Sequence, residues 1–217
     1  MPEALHSTSG ARLIGVFGGT FDPIHNGHLW VIRSVFRYIG FRRLHVVPAR
    51  VPPLRDMPQS DPAVRLEMVR LAIAKMPGVF CDRRELDRPG PSYTIDTLRD
   101  LGVDYPGERL VLILGRDAFD HLPGWFQWQS LFKHADIAVV TRPGQDNHMR
   151  PDWLPAWVRT SSQMDPDDEA AQVVFVDVEP CDISATDIRE RVHQGLSISG
   201  LVPQPVESFI KTRKLYV

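Results

Sequence analysis

Apolar residues occur along this chain in two alternating arrangements. Short continuous apolar runs predict strands at residues 13–17, 44–47, 79–81, 109–114, 135–141 and 173–178. Between these runs, apolar residues recur every three or four positions, which predicts amphipathic helices. Strands that alternate with helices favour parallel pairing, so the pattern predicts an α/β fold with a mostly parallel sheet.

Two segments depart from this alternation. Residues 1–12 are polar, and we predict a flexible arm there. Residues 145–172 are rich in Pro, Asp, Ser and Gln, and we predict a loop that contains a short helix near residues 152–159. The chain contains no internal repeat or interdomain linker. The 217 residues are therefore predicted to form a single domain with a small helical part at residues 184–217.

Composition and charge narrow the class of protein. The formal net charge of −2 gives no electrostatic basis for binding nucleic acid. No apolar run approaches the roughly 20 residues that a membrane-spanning helix needs. The polar start lacks the apolar core of a secretory signal, so we expect a cytoplasmic protein without a membrane partner. Cys81 and Cys181 lie far apart in sequence; their pairing is left open, but two reduced thiols are expected.

Residues 15–29, GVFGGTFDPIHNGHL, carry the clearest candidate chemistry. We predict that a strand ends at a tight turn through Gly18 and Gly19, where the missing Cβ atoms let backbone amides approach a phosphate. A helix is predicted to begin near His25 and His28, and its unpaired N–H groups and partial positive charge attract anions. The segment has neither a Walker A loop nor a three-glycine dinucleotide fingerprint. It therefore predicts a nucleotide phosphate site of another kind.

Three later segments place polar side chains near predicted strand or helix ends, where ligands bind in parallel sheets. Gly115 and Asp117 follow the most apolar strand, and a carboxylate there suits ribose hydroxyls. The segment SYTIDTL, at residues 92–98, is predicted to begin a helix whose hydroxyls and dipole favour a carboxylate. In ISATDIR, at residues 183–189, hydroxyls at a helix start suit phosphate oxygens, and Arg189 suits bidentate binding of phosphate.

These motifs resemble those of a known family. The H-x-G-H at residues 25–28 is the signature of the nucleotidylyltransferase superfamily, and the longer run GGTFDPIHNGHL is similar to bacterial nicotinate-nucleotide adenylyltransferases. SYTIDTL, ISATDIR and the C-terminal Leu-Tyr-Val are similar to the same enzymes. The resemblance extends over nearly the whole chain from Leu13 onward and is weakest at residues 145–172. It implies a Rossmann-like, doubly wound sheet.

The resemblance also implies an activity and a set of site residues. The expected reaction is adenylyl transfer from ATP to nicotinate mononucleotide, which gives nicotinate adenine dinucleotide and pyrophosphate in NAD biosynthesis. The residues expected to act in catalysis at the ATP phosphates are His25, His28 and Arg189. Those expected to bind ATP are Gly18, Gly19, Thr20, Phe21, Gly115, Asp117, Ser184 and Thr186. Those expected to bind the acceptor are Arg55, Tyr93, Thr94 and Trp125, with Trp125 stacked on the pyridine ring. Mg²⁺ is expected to bind through the ATP phosphates and water, without a cage of protein carboxylates.

The sequence departs from the family pattern at two positions. Leu54 stands where the loop before Arg55 usually carries histidine, and Ala185 replaces the middle serine of a Ser-Ser-Thr motif. Three alternatives stay open: a sibling enzyme that uses nicotinamide mononucleotide, one that uses phosphopantetheine, and a non-catalytic nucleotide-binding module. His25 argues against the phosphopantetheine enzymes, which usually have threonine there. Whether the protein forms a homo-oligomer is also left open.

Overall fold

The seven strands in the described part of the chain run parallel in one sheet. The computed structural model describes residues 13–53, 57–141, 149–179 and 181–217. The strands are β1 (Leu13–Gly19), β2 (Arg43–Pro48), β3 (Val79–Cys81), β4 (Arg109–Gly115), β5 (Asp136–Thr141), β6 (Arg159–Ser161) and β7 (Gln172–Asp177). Their order across the sheet is β3-β2-β1-β4-β5-β7-β6, and every neighbouring pair is parallel. The predicted α/β fold with a Rossmann-like, doubly wound sheet is confirmed.

Helices pack against both faces of this sheet. They are α1 (Asn26–Val35), α2 (Pro62–Ile73), α3 (Arg84–Asp87), α4 (Thr94–Asp104), α5 (Arg116–Asp120), α6 (Trp128–Leu131), α7 (Ala185–His193) and α8 (Gln204–Arg213). A π-helical turn at Phe36–Gly40 continues α1, and a 3-10 turn at Leu122–Gly124 follows α5. Within the described ranges, no helix has the length and apolar character needed to cross a membrane.

Two hydrophobic clusters occupy opposite faces of the sheet. One includes Val111 of β4 together with residues of α1, α2, α7 and α8. The other includes the next residue, Leu112, together with residues of α4, α5 and α6. Because adjacent residues of one strand enter different clusters, both faces of the strand are buried. This explains why the central strands are continuous apolar runs rather than alternating ones.

A crevice opens between β1 and β4, where the winding of the sheet reverses. Pairing between the two strands ends at Val16 and Leu112, whereas β1 continues to Gly19 and β4 to Gly115. Over these last residues β1 still pairs with β2, and β4 still pairs with β5. The carboxyl ends of β1 and β4 therefore separate at the topological switch point, which is where open parallel sheets bind ligands.

The predicted glycine turn at the end of β1 is wrong. Gly18 and Gly19 are the last residues of the strand and pair with β2, and the chain turns at residues 22–23 instead. A Cβ on Gly19 would lie 2.7 Å from the ring of Phe21. The space at Gly19 is therefore needed by an aromatic side chain two residues later, rather than by a turn.

The predicted short helix near residues 152–159 is also wrong. The described residues from 149 to 158 form turns, and β6 begins at Arg159 and pairs with β7. Leu154 and Val158 are buried four positions apart, which is a helical spacing, but here they belong to successive turns that cover the second cluster. The edge of β7 provides backbone partners for β6, and this pairing outweighs the local preference.

Candidate active site

Two imidazole rings lie stacked at the start of α1. His25 is the N-cap and His28 is the third residue of the helix. Their ring centroids are 3.6 Å apart, and the ring planes differ by 28°. The main-chain N–H of His25 donates to Nδ1 of His28 over 3.2 Å. Since a main-chain N–H can only donate, Nδ1 carries a lone pair, and the proton of the neutral His28 ring lies on Nε2.

Burial keeps the His25 ring neutral. The residue is 7% exposed, and loss of solvation lowers its pKa to about 4. Its Nδ1 is shielded from solvent. A Cβ on Gly27 would lie 3.0 Å from this Nδ1 and 3.1 Å from Cε1. The glycine of the H-x-G-H motif therefore leaves room for the first imidazole to lie against the helix start.

Phe21 supports the imidazole pair from the side of β1. Its ring is 2% exposed and meets His28 edge to face, with the two centroids 5.1 Å apart. Phe21 has φ 51°, a left-handed conformation that is uncommon for an aromatic residue. Gly18 is exposed and Thr20 is partly exposed. Because the ring of Phe21 is buried, contact with ATP at this residue would have to involve its main chain.

Arg189 connects α7 to the loop between β1 and α1. Its Nη1 donates to the carbonyl oxygen of Asp22 over 2.8 Å, and its Nη2 donates to Oγ1 of Thr186 over 3.2 Å. Its Nε is buried and has no partner within the described ranges. Ser184 is the N-cap of α7, and its hydroxyl accepts a main-chain N–H of the first turn over 3.0 Å. The guanidinium is thus held beside the loop that leads into His25.

Gly115 and Asp117 lie on the opposite side of the crevice from Gly19. Gly115 ends β4 and is the N-cap of α5, and Asp117 is an exposed residue in the first turn of that helix. The helix dipole stabilises a carboxylate there. Both residues therefore lie at the carboxyl end of β4, as their position after this strand predicts.

Tyr93, Thr94 and Trp125 form a second group, at the start of α4. Tyr93 is the N-cap of this helix and Thr94 is its first residue. The ring of Tyr93 lies against that of Phe126, with centroids 4.4 Å apart and planes at 30°. Phe126 is 50% exposed, and Trp125 is half-buried against the second cluster. Sequence reasoning missed Phe126, although its position beside the predicted tryptophan in GWFQW was a usable signal.

The loop after β2 joins this aromatic group to the β1 side of the site. The main-chain N–H of Arg50 donates to Oγ of Ser92 over 2.8 Å, and the main-chain N–H of Ser92 donates to the carbonyl oxygen of Val51 over 3.0 Å. Arg55 and the neighbouring Leu54 lie outside the described residues. The acceptor contact predicted for Arg55 therefore stays a prediction.

Sequence reasoning also missed Arg65, which lies beneath these loops on α2. The residue is fully buried, and its guanidinium donates to four main-chain carbonyl oxygens, those of Thr20 and Ala49 at 2.7 Å, Ser60 at 3.2 Å and Arg50 at 3.3 Å. It thereby links the loop after β1 to the loop after β2. The available signal was its position on the helix, three and four residues before two buried apolar side chains.

The polar groups of the site are mainly hydrogen-bond donors. They include the ring N–H of His28 and the guanidinium of Arg189. Within the described ranges, no group of three or more His, Cys, Asp and Glu side chains is arranged to hold a metal ion. Cys81 and Cys181 are free thiols, as expected. Such a set of donors complements the oxygens of a polyphosphate.

The crevice and the imidazole pair at a helix start define a nucleotidyltransferase, and comparison with known proteins agrees. A family model described as cytidylyltransferase-like matches residues 16–191. This range contains most of β1, both histidines and Arg189.

Curated relatives and a solved structure narrow this class. A probable nicotinate-nucleotide adenylyltransferase of Halorhodospira halophila is 43% identical over 199 residues, which cover 90% of this chain and 91% of that relative. Another, from Pseudomonas putida strain KT2440, is 40% identical over 219 residues, covering 99% and 95%. The chain belongs to the nicotinate-nucleotide adenylyltransferase family. The Plasmodium falciparum nicotinic acid mononucleotide adenylyltransferase complexed with NaAD has the same fold, with a TM-score of 0.69 at 16% identity over 94% of this chain and 97% of that one.

Proposed function

We propose that the protein transfers the adenylyl group of ATP to nicotinate mononucleotide in NAD biosynthesis. An oxygen of the acceptor's phosphate bonds to the α-phosphorus of ATP, and the bond from that phosphorus to the bridging oxygen of the β-phosphate breaks. The products are nicotinate adenine dinucleotide and pyrophosphate. Support comes from the names of relatives that align over at least 90% of this chain and from a crevice that adjoins a helix N-terminus.

The proposal assigns the triphosphate to the side of the site that holds His25, His28 and Arg189. The Nε2–H of His28 and the guanidinium of Arg189 donate to phosphate oxygens and stabilise the charge that develops on the leaving pyrophosphate. The lowered pKa of His25 keeps that ring uncharged near neutral pH. Because the attacking phosphate is already anionic, the reaction needs alignment rather than a strong general base.

The remaining contacts to ATP are proposed along the two sides of the crevice. Main-chain groups contribute on the β1 side, the α7 hydroxyls lie beside the phosphates, and the residues after β4 reach the ribose or the base. These residues are Gly18, Gly19, Thr20, Phe21, Ser184, Thr186, Gly115 and Asp117.

Mg²⁺ is proposed to enter the site bound to the phosphate oxygens of ATP and to water. The bound cation would neutralise part of the triphosphate charge. The side chains that fit such a complex are the donors His28 and Arg189, which bind phosphate oxygens directly.

The acceptor is proposed to bind at the start of α4. Tyr93, Phe126 and Trp125 provide aromatic surface for the pyridine ring. Thr94 and the first N–H groups of α4 favour the negative charge of a carboxylate. This charge preference supports the acid, nicotinate, over the amide, nicotinamide.

The observation that carries the proposal is the stacked His25–His28 pair at the start of α1, beside the crevice. The test is the rate of pyrophosphate release with ATP and Mg²⁺, with nicotinate mononucleotide, nicotinamide mononucleotide or phosphopantetheine as acceptor. We expect a strong preference for the acid. Preference for another acceptor would assign the protein to a sibling activity. Binding of ATP without release for any acceptor would indicate a non-catalytic nucleotide-binding module.

A further inference from the structure

The second-last residue of the chain contacts the phosphate side of the site through a buried carboxylate. The hydroxyl of Tyr216 donates to Oδ1 of Asp22 over 2.6 Å, although the two residues are 194 positions apart. We infer that Tyr216 is a positioning residue for adenylyl transfer, which acts through Asp22 on Arg189. This inference rests on the proposed function.

Asp22 joins three parts of the fold. Its side chain is 3% exposed, and its Oδ2 accepts the main-chain N–H groups of Gln59 at 2.7 Å and Ser60 at 3.3 Å. Its own carbonyl oxygen accepts Nη1 of Arg189. A buried carboxylate needs donors on both oxygens. Without the hydroxyl of Tyr216, the side chain of Asp22 would lose a donor, and the Asp22 carbonyl that orients Arg189 would be free to shift.

The phenol of Tyr216 remains a donor near neutral pH. Burial raises its pKa, and the hydrogen bond to Asp22 raises it further. The proton therefore stays on the phenol oxygen under the conditions of the reaction, and the contact with the carboxylate persists.

The backbone of Tyr216 is itself held in an uncommon conformation. Tyr216 has φ 63°, in the left-handed region that residues other than glycine seldom adopt. Such conformations persist where surrounding contacts over-determine them. The hydrogen bond to Asp22 is a contact of this kind.

The C-terminal residues also line a cleft beside Arg189. The cleft has a volume of about 340 Å³, and its lining includes Gln59, Thr186, Arg189 and Tyr216. Tyr216 thus lies on the same cavity as the guanidinium that it positions. Tyr216 therefore both lines this cleft and donates the hydrogen bond to Asp22.

The test compares Tyr216→Phe with the wild type at saturating ATP and nicotinate mononucleotide. The variant keeps the ring and loses only the hydroxyl, so we expect kcat to fall about tenfold through misalignment. In an Arg189→Lys background the same substitution should change kcat by less than about twofold, since residues that act in series are not additive. Tyr38→Phe is the matched control. The hydroxyl of Tyr38 also donates a hydrogen bond, to the carbonyl oxygen of Ser162 at 2.7 Å, but Tyr38 is 51% exposed. This variant should keep the wild-type kcat.

The results separate positioning from general structural support. Wild-type kcat in Tyr216→Phe, or an equal loss in both backgrounds, would overturn the inference. Asp22→Asn is a second variant, which we expect to lower kcat similarly because an amide cannot accept all three donors. Turnover by the wild type tests the proposed function by itself, so an unimpaired Tyr216→Phe beside an active wild type refutes only the role of Tyr216.

Discussion

The main-chain N–H of His25 donates to Nδ1 of His28 while the two imidazole rings stack 3.6 Å apart. This arrangement makes the start of α1 a preorganised pair of rings. The first ring is buried and uncharged, and the second has its remaining proton on Nε2. The pair therefore needs little rearrangement to meet an anionic ligand, which is the condition for electrostatic stabilisation of a transition state.

Replacing His28 with Ala is expected to lower kcat by about 100-fold or more, because a preorganised donor at the leaving group is lost. The free energy of unfolding should fall by only about 1 kcal/mol, from the lost acceptor at the helix start. Pyrophosphate release and urea denaturation measure the two effects. His134→Ala changes an exposed histidine just before β5, at the amino end of that strand and away from the carboxyl ends that form the site, and should leave turnover unchanged. Near-normal turnover in His28→Ala would contradict the assignment.

Acidification is expected to destabilise the nucleotide-free protein through His25. The pKa of this residue is about 4 in the folded state, against its ordinary value of 6.5. Between these values the unfolded state binds more protons, so stability is present above pH 6.5 and is lost as the pH falls toward 4. The loss is on the order of 3 kcal/mol, since each pKa unit corresponds to about 1.4 kcal/mol.

Urea denaturation between pH 7 and 4 measures this loss. His25→Asn should flatten the acid side of the stability profile, whereas His193→Asn, at an exposed position on α7, should leave it unchanged. Identical profiles for the wild type and His25→Asn would show that another group causes the acid destabilisation.

Gly27→Ala is expected to lower kcat roughly tenfold, since the new methyl group displaces the ring of His25 by a few tenths of an ångström. Gly102→Ala is the matched control within another helix. A Cβ at Gly102 would have no described atom within 4 Å, so that variant should keep its activity and gain up to about 1 kcal/mol of stability. Steady-state kinetics and thermal denaturation test both. Equal activity of the two variants would show that the position of the His25 ring does not matter.

Phe126→Ala is expected to raise the KM for nicotinate mononucleotide about fivefold and to leave the KM for ATP unchanged. The reason is the loss of one aromatic contact, worth about 1 kcal/mol. Phe80→Ala is the control and should alter neither KM. It removes another exposed ring, which lies on β3 with the guanidinium of Arg43 5.0 Å from its centroid. A parallel rise in both KM values for Phe126→Ala would place this ring outside the acceptor site.

Arg65→Met is expected to lower the free energy of unfolding by about 3 kcal/mol or more, because four carbonyl groups lose their donor, two of them buried and two partly buried. Arg70→Met is the control on the same helix. Arg70 is 51% exposed and lies 3.9 Å from Glu67, so its loss should change stability by less than about 0.5 kcal/mol. Chemical denaturation measures both variants, and equal losses would contradict a structural role that is particular to Arg65.

The order and type of the main elements followed from local patterns. The apolar run at residues 109–114 predicted a strand, and β4 covers Arg109–Gly115 as the fourth of seven strands in the described sheet. An aspartate followed by proline is a typical helix start, and α2 begins at Pro62 with Asp61 as its N-cap. Such signals are readable because burial and capping depend on residues that are close together in sequence.

The chemical motifs were also local. H-x-G-H places two imidazoles on one helix start whatever the rest of the fold does, so the sequence by itself determined that His25 and His28 would lie together. It likewise placed Gly115 and Asp117 after a central strand. The residues proposed to bind the nucleotide could therefore be predicted in part before any tertiary contact was known.

Only the tertiary structure decided how these parts are held together. The ring of Phe21 occupies the space that a side chain at Gly19 would need. β6 forms because β7 has an edge with which it can pair. Arg65 donates to carbonyl oxygens in two loops that are far apart in sequence. The contact of Tyr216 with Asp22 joins opposite ends of the chain. Buried polar groups form hydrogen bonds with whichever groups the folded chain brings close to them. Those groups can be far away in the sequence, so residue spacing does not predict the pairing.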